Sequence, residues 1–210
     1  MKTLCINLDS RPDRWEQVSA EFARVGLHVE RVAAVSGDNR PLAFNQSVYK
    51  AMGMAKTWAY DEYDVPESLL LFEDDVVFDG NPKLPAYTPT DFLTLHLGCN
   101  IIGTDQTTWQ MPTAYSENLA LLHNCWQSHA TLYSAECVQY ILDNFNPNVL
   151  DADNMIFDEW LRTHVLNQGR SYVMKPMIAY QRPSVSNIWG DKWSDYTGAH
   201  TAGNKYLATL

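Results

Sequence analysis

The chain has 210 residues, 46% of them hydrophobic and 19% charged, enough apolar material for one core and too little polar bias for disorder. A formal net charge of −10 argues against general affinity for nucleic acid or anionic lipid, since only a local basic patch would supply it. Cys5, Cys99, Cys125 and Cys137 are scattered with no CxxC pair. They read as buried small hydrophobes in a reducing compartment, not as a zinc site or a disulfide framework.

Met1 and Lys2 lead directly into Leu4-Cys5-Ile6-Asn7-Leu8, and Asp9 follows at once, so no signal-peptide core is expected. No run approaches the roughly 18 apolar residues of a membrane span. A cytoplasmic protein, or one on the cytosolic side of a membrane, is the expectation.

Thr3 to Leu8 has strand character. Ser10 is placed to cap a helix whose first turn holds Pro12 and Asp13. Trp15, Val18, Phe22 and Val25 share one face at helical spacing, and Gly26 supplies the stop. Residues 29–35 form a second strand, ending in the turn Ser36-Gly37-Asp38-Asn39. The spacing of Val48, Met52, Ala55 and Ala59 predicts a helix over 46–63, ended by Pro66. Ser68 to Phe72 is a short apolar strand of the kind buried in a parallel sheet. Strand, helix, strand, helix, strand is the pattern of a doubly wound α/β fold.

Beyond Asp79 the pattern loosens. A strand is expected at 92–97, a long loop at 98–113, strands at 117–123 and 130–133, helices at 135–145 and 158–166, and an extended stretch at 172–179. The last thirty residues, with Trp189, Trp193 and Tyr196, show no clear period. No internal repeat or low-complexity linker divides the chain, which reads as one domain. Its many Trp and Tyr residues read first as packing.

The chemistry concentrates in Leu69-Leu70-Leu71-Phe72-Glu73-Asp74-Asp75-Val76-Val77-Phe78. Three consecutive carboxylates between apolar runs are costly unless something neutralises them. At the carboxyl end of a strand in an open α/β sheet they stand where ligands bind. Such oxygen donors suit a hard cation, Mn²⁺ or Mg²⁺, which keeps phosphate and water in its other positions. The bland alternative is a solvated acidic turn. A second strand end, Ile6-Asn7-Leu8-Asp9-Ser10-Arg11-Pro12-Asp13-Arg14, offers two guanidinium groups for phosphate or base contacts, unless they merely pair with Asp9 and Asp13.

Together these segments resemble glycosyltransferase family 25, the lipooligosaccharide and procollagen galactosyltransferase group. The resemblance rests on the opening I-N-L-D strand with its following Arg residues, and on Glu73-Asp74-Asp75 after an apolar strand. Further points are Ser128-His129-Ala130-Thr131-Leu132-Tyr133-Ser134, the acidic stretches Asp151-Ala152-Asp153 and Phe157-Asp158-Glu159-Trp160-Leu161, and a closing Gln181-Arg182-Pro183-Ser184-Val185-Ser186-Asn187-Ile188. Met54-Ala55-Lys56-Thr57 replaces the family's usual S-H pair, and the loop at 98–113 has no counterpart in it.

The resemblance implies a single GT-A, Rossmann-like nucleotide-sugar transferase domain with a mixed, mainly parallel sheet. Residues 1–97 would be the nucleotide-sugar half, 98–188 the acceptor and catalytic half, and 189–210 a tail or lid. It implies a metal-dependent transferase that moves a sugar from a nucleoside-diphosphate sugar, with UDP and galactose the family-weighted choices, by inverting displacement. Asp75 would hold the cation with help from Asp74, and His200 is a further candidate ligand. Asn7, Asp9, Arg11, Arg14, Glu73, Asp74, His129, Gln181 and Ser186 are candidates for holding the donor. Asp158 and Glu159, at a helix start, are candidates for the base that takes the acceptor proton, with Asp151 and Asp153 as the second choice.

The acceptor is expected to be a glycan, a lipid-linked sugar or a protein side chain, as in lipopolysaccharide biosynthesis. Hydroxymethylated DNA is a rival acceptor, for which Arg162, Arg170, Lys175 and Arg182 would form a late basic strip. A non-catalytic nucleotide-sugar-binding module is the other alternative. Sugar nucleotidyl transfer is disfavoured, because Asp9-Ser10-Arg11-Pro12 is not a glycine-rich phosphate loop. His96, between leucines, reads as a sheet residue, and no HExxH pattern marks a zinc hydrolase.

Overall fold

The computed structural model describes residues 1–58, 64–80, 82, 88–102, 109–151, 155–185 and 192–210. Strand β1 (Lys2–Asn7) leads to helix α1 (Pro12–Arg24), with Asp13 in its first turn and Arg24 in its last, the charge order that suits the helix dipole. Val18 and Phe22 are buried on its inner face. Gly26, at φ +72°, then turns the chain so that Leu27 N–H donates to Phe22 O, an angle that only a residue without Cβ adopts freely. Strand β2 (Glu30–Ala33) follows.

Helix α2 (Arg40–Met54) begins and ends earlier than the 46–63 span predicted from its spacing. The Asn39 side chain accepts the Leu42 N–H and Pro41 lies in the first turn, a cap that sets the start where periodicity alone did not. After Met54 the chain enters a hairpin of β3 (Lys56–Trp58) and β4 (Asp64–Pro66), and Ala59 lies outside the described residues. Strand β5 (Leu69–Glu73) ends at the carboxylates and β6 (Val76–Phe78) leaves them. Next come β7 (Thr94–Asn100), β8 (Thr113–Ala114), β9 (Leu119–Leu121) and β10 (Trp126–Tyr133). Helix α3 (Ala135–Asn144) is capped by Ser134 Oγ, which accepts the Cys137 N–H, and α4 (Phe157–His164) follows. The chain ends with β11 (Ser171–Met174), β12 (Ala179–Gln181), β13 (Ser184–Val185), β14 (Trp193–Ser194) and helix α5 (Thr197–Leu207).

The main sheet has the order β2-β1-β5-β10-β7-β11-β9-β8, and only β9 and β10 run against the others. It is therefore a mixed sheet with one dominant direction, in a Rossmann-like α/β fold. Helices α2, α3 and α4 cover one face, where Leu4, Ile6, Leu69 and Leu71 meet Val48, Met52, Ile141, Phe157 and Trp160. On the other face Cys5, Leu70 and Phe72 meet Val18, Phe22 and Phe78, with the rings of Phe22 and Phe72 5.1 Å apart. Each such fully buried side chain contributes about 1.5–3 kcal/mol.

The extended stretch expected at 172–179 is two strands with different partners. β11 joins the main sheet, while β12 pairs with β6 in a separate ribbon. β12 lies directly over Gly98 of β7, where a Cβ would stand 1.7 Å from Ala179 O. Gly98 thus provides the clearance that brings Gln181 and Arg182 to the acidic turn.

Within the C-terminal segment, where a tail or lid is expected, residues Thr197–Leu207 form a packed helix. Its Thr and Gly residues are poor helix formers, so no local pattern announced it. Tertiary contacts hold it: Leu207 is buried, Gly203 abuts Met177 and Ile101, and Asn204 accepts the Met177 N–H at 2.7 Å. No helix among the described residues is long and apolar enough to cross a membrane.

Candidate active site

A cavity of about 750 Å³ opens where β1, β2 and β5 end and where β10 and α4 begin. The acidic turn forms its floor. Asp74 is buried and committed on both oxygens: Arg14 Nη1 donates to Oδ1 at 2.9 Å and Asn7 Nδ2 to Oδ2 at 2.8 Å. Arg14 is itself buried, and its Nη2 donates to Ser184 Oγ at 2.8 Å and to Val185 O at 2.7 Å. Asn7 accepts from Arg31 Nε at 2.8 Å. These residues form a brace under the cavity, in which Arg14 balances one of the three carboxylates.

Asp75 is left differently. Its Oδ2 lies 4.0 Å from Arg14 Nη1, and its Oδ1 is buried with no hydrogen-bond partner among the described residues. Burial, then the neighbouring Asp74 charge, pushes its pKa from 3.8 to about 7, with Arg14 acting in the opposite direction. Glu73 is pushed well above the carboxylate range by burial and by the charges of Asp75, Asp158 and Asp74. An unsatisfied buried carboxylate oxygen beside further acidic groups is the donor set a hard cation relieves. Asp75 fits such an ion as a protein ligand.

Across the cavity, Asp158 stands in the first turn of α4 and accepts the Ser128 hydroxyl at 2.6 Å. Burial raises its pKa, which the bonds from Ser128 and the Gln127 backbone partly offset. Gln127 adopts φ +72°, the one positive φ among the described non-glycine residues. Glu159, next to Asp158, also lines the cavity but is paired with Arg162. Gln181 reaches the floor from β12, and Arg182 N–H donates to Asp75 O at 2.7 Å.

Asn7, Arg14, Glu73, Asp74, Asp75, Asp158, Glu159 and Gln181 therefore share one cavity. Other candidates do not line it. Asp9 is exposed and pairs with Arg31 at 2.6 Å, and Arg11 pairs with Asp13 at 2.8 Å. His129 is buried, and desolvation lowers its pKa to about 3, so it is a neutral core imidazole. His200 lies on α5 and bonds Asp79 at 2.9 Å in a separate surface pocket, because the C-terminal segment packs as a helix. Asp151 is exposed and does not line the cavity, and Asp153 and Ser186 lie outside the described residues. Two of the four residues of the late basic strip are held in ion pairs: Arg162 pairs with Glu159 and Arg170 with Glu136 at 2.6 Å.

The sequence reading missed one whole wall of the cavity: Val35, Ser36, Arg40, Phe44 and Ser47, from the turn after β2 and the start of α2. The signal was present in Asn39-Arg40-Pro41, which marks a helix N-terminus facing a strand end. Trp126 was also missed. It stacks on Trp109 with ring centroids 5.7 Å apart, and the Arg162 guanidinium lies 5.3 Å from its ring centroid.

No family model matches the chain, and no curated protein matches it in sequence. Among solved structures, a glycosyltransferase involved in glycosylation of the major capsid of PBCV-1 superposes with a TM-score of 0.51 at 9% identity, covering 100% of this chain and 98% of that one. A Drosophila β1,4-galactosyltransferase 7 mutant, in complex with manganese, UDP-Gal and xylobiose, gives a TM-score of 0.42 at 12% identity over 94% of this chain and 72% of that one. The sheet order and the likeness to the first of these structures make the fold a Rossmann-like α/β domain of the GT-A type. At these identities the likeness concerns the backbone arrangement, and membership of family 25 is not established by it.

Proposed function

We propose that the chain is a glycosyltransferase that moves a sugar from a nucleoside-diphosphate sugar, with UDP the favoured nucleotide, to an acceptor hydroxyl. The observation that carries this reading is the orphaned, buried Oδ1 of Asp75, at the end of β5 in the cavity that Asp158 faces. Mn²⁺ or Mg²⁺ bound there would neutralise charge on the diphosphate leaving group. Asp74 and Arg14 support that function by positioning Asp75, since their own polar atoms bond one another. The apolar Val35 and Phe44, with Ser36, suit a nucleobase and ribose, while Glu73 and Gln181 are placed to meet the donor sugar.

In a direct, inverting displacement the acceptor oxygen bonds the anomeric carbon, the carbon–phosphate oxygen bond breaks, and the nucleoside diphosphate departs. Asp158 takes the acceptor proton; its raised pKa suits that task better than an ordinary exposed carboxylate would. Glu159 is the weaker candidate because Arg162 already holds it. Trp126, 36% exposed, offers apolar aromatic surface at the cavity for an acceptor sugar or a similar group. A glycan, lipid-linked sugar or protein acceptor fits this mouth better than duplex DNA, given the net charge of −10 and the pairing of Arg162 and Arg170 with carboxylates.

The test is thermal stabilisation against a panel of nucleoside diphosphates and their sugars, with Mn²⁺, Mg²⁺ or EDTA. A metal-dependent shift with one nucleotide, followed by metal-dependent release of that nucleotide from its sugar conjugate, is the expected result. Binding without release would mark a nucleotide-sugar-binding module. No shift with any nucleotide overturns the reading.

A further inference from the structure

Among the described residues, the one group of three His, Cys, Asp or Glu side chains whose ligand atoms converge lies outside the acidic turn. His96 on β7, Cys99 near its end and Cys125 just before β10 are all buried, and one ligand atom from each lies within 4.8 Å of the other two. Cys125 Sγ is 4.0 Å from His96 Nδ1, and the Thr131 hydroxyl is 3.1 Å from the same nitrogen. His96 Nε2 is buried with no hydrogen-bond partner among the described residues. Cys5 and Cys137 lie singly in the two apolar layers on either side of the sheet, whereas Cys99 and Cys125 share a third apolar cluster with Ile101, Leu122 and Val173.

Donors in a tetrahedron with metal bonds of about 2.0–2.3 Å lie roughly 3.5 Å apart. Cys125 Sγ and His96 Nδ1, 4.0 Å apart, reach that spacing with a contraction of about 0.5 Å, and donors at the 4.8 Å limit of the cluster would close by about 1.3 Å. Two thiolates and a neutral imidazole balance a divalent cation to zero net charge, which a buried site requires. A monovalent soft ion would leave the site with an uncompensated negative charge. Sulfur and imidazole donors favour zinc over the hard ions suited to the acidic turn.

We propose that His96, Cys99 and Cys125 form a structural zinc site, with the Thr131 hydroxyl at the fourth position. Zinc enters as the divalent ion and the two thiols lose their protons to solvent, so no oxidant or reductant is needed. The ion ties the segment before β10 to the end of β7. Trp126 and Gln127, the first residues of β10 and lining residues of the cavity, follow directly, so the ion fixes one wall of it. The site is independent of the reaction catalysed in the cavity.

The experiment measures metal content and thiol state on the full chain purified without chelator. About one zinc per chain is expected in the parent and in Cys137→Ser, and markedly less in Cys99→Ser and Cys125→Ser. Because those two variants can fail to fold, a second measurement uses the parent chain alone, stripped, reduced and titrated with Co²⁺. A thiolate-to-cobalt charge-transfer band that saturates at one equivalent, and that Zn²⁺ abolishes, supports the site. Absence of that band, or a Cys99–Cys125 disulfide in the purified protein, overturns it.

Discussion

Arg14 reaches from α1 to the end of β5 and donates to Asp74 Oδ1 at 2.9 Å, with 9% and 10% of the two side chains exposed. Removing one partner of such a pair leaves a buried charge uncompensated, which typically costs about 3–5 kcal/mol. Arg14→Ala is therefore expected to lower stability by that order, measured as the shift in urea midpoint. Arg14→Lys should recover only part of the loss, since one ammonium does not replace the fork that meets Asp74, Ser184 and Val185.

Asp75 gives a pH dependence with a defined sign. Its folded pKa of about 7 lies above its ordinary 3.8, so the folded state binds the extra proton between those values. The metal-free protein gains stability from this group below about pH 4 and loses it as pH rises through about 7. Glu73 and Asp158, raised by the same burial, act in the same direction. Thermal melts in EDTA should show stability falling between pH 5 and pH 8 less steeply in Asp75→Asn than in the parent. Added Mn²⁺ should stabilise the parent at pH 8 and leave Asp75→Asn unmoved.

Asp158→Asn removes the proposed base without adding volume. Turnover is expected to fall by about 10²–10⁴-fold while the metal-dependent nucleotide shift persists. Glu159→Gln should change turnover by less than tenfold, a range set by the modest worth of a side chain already paired with Arg162. Single-turnover kinetics with the donor identified by the stabilisation panel would separate the two.

Gly98→Ala places a methyl group against the Ala179 carbonyl, where the backbone allows only 1.7 Å. Overpacking of this kind costs about 1–3 kcal/mol, and more where backbone must move. Because β12 carries Gln181 and Arg182, both stability and nucleotide affinity should fall. Calorimetry combined with nucleotide titration checks the coupling: a destabilised variant with parental affinity would show that β12 does not position the cavity.

Local chemistry made a good part of this molecule legible. The pairing of Pro12 with Gly26 marked α1, Ser134 capped α3 at its expected start, and the apolar run before Glu73 marked β5. Each is set by residues within one or two turns of one another, where propensity and capping act. Helix α5 was illegible because its stability comes from Met177 and Ile101, far away in the chain, and not from its own Thr- and Gly-rich sequence. The wall made by Val35, Arg40 and Phe44 was missed because the cap at Asn39 had been read as the end of a turn.

What the sequence by itself determined is the α/β alternation of the first half and the place of three carboxylates at a strand end, since both follow from periodicity and charge order along the chain. Only the tertiary structure separated the roles of those carboxylates. Asp74 and Arg14 lie 60 residues apart and satisfy each other, which leaves Asp75 with a buried oxygen unspent. The same long-range folding withdrew His129 into the core, carried His200 away on α5, and set His96, Cys99 and Cys125 side by side. Hydrogen bonds and burial depend on distance in space, and spacing along a chain carries that information only within an element.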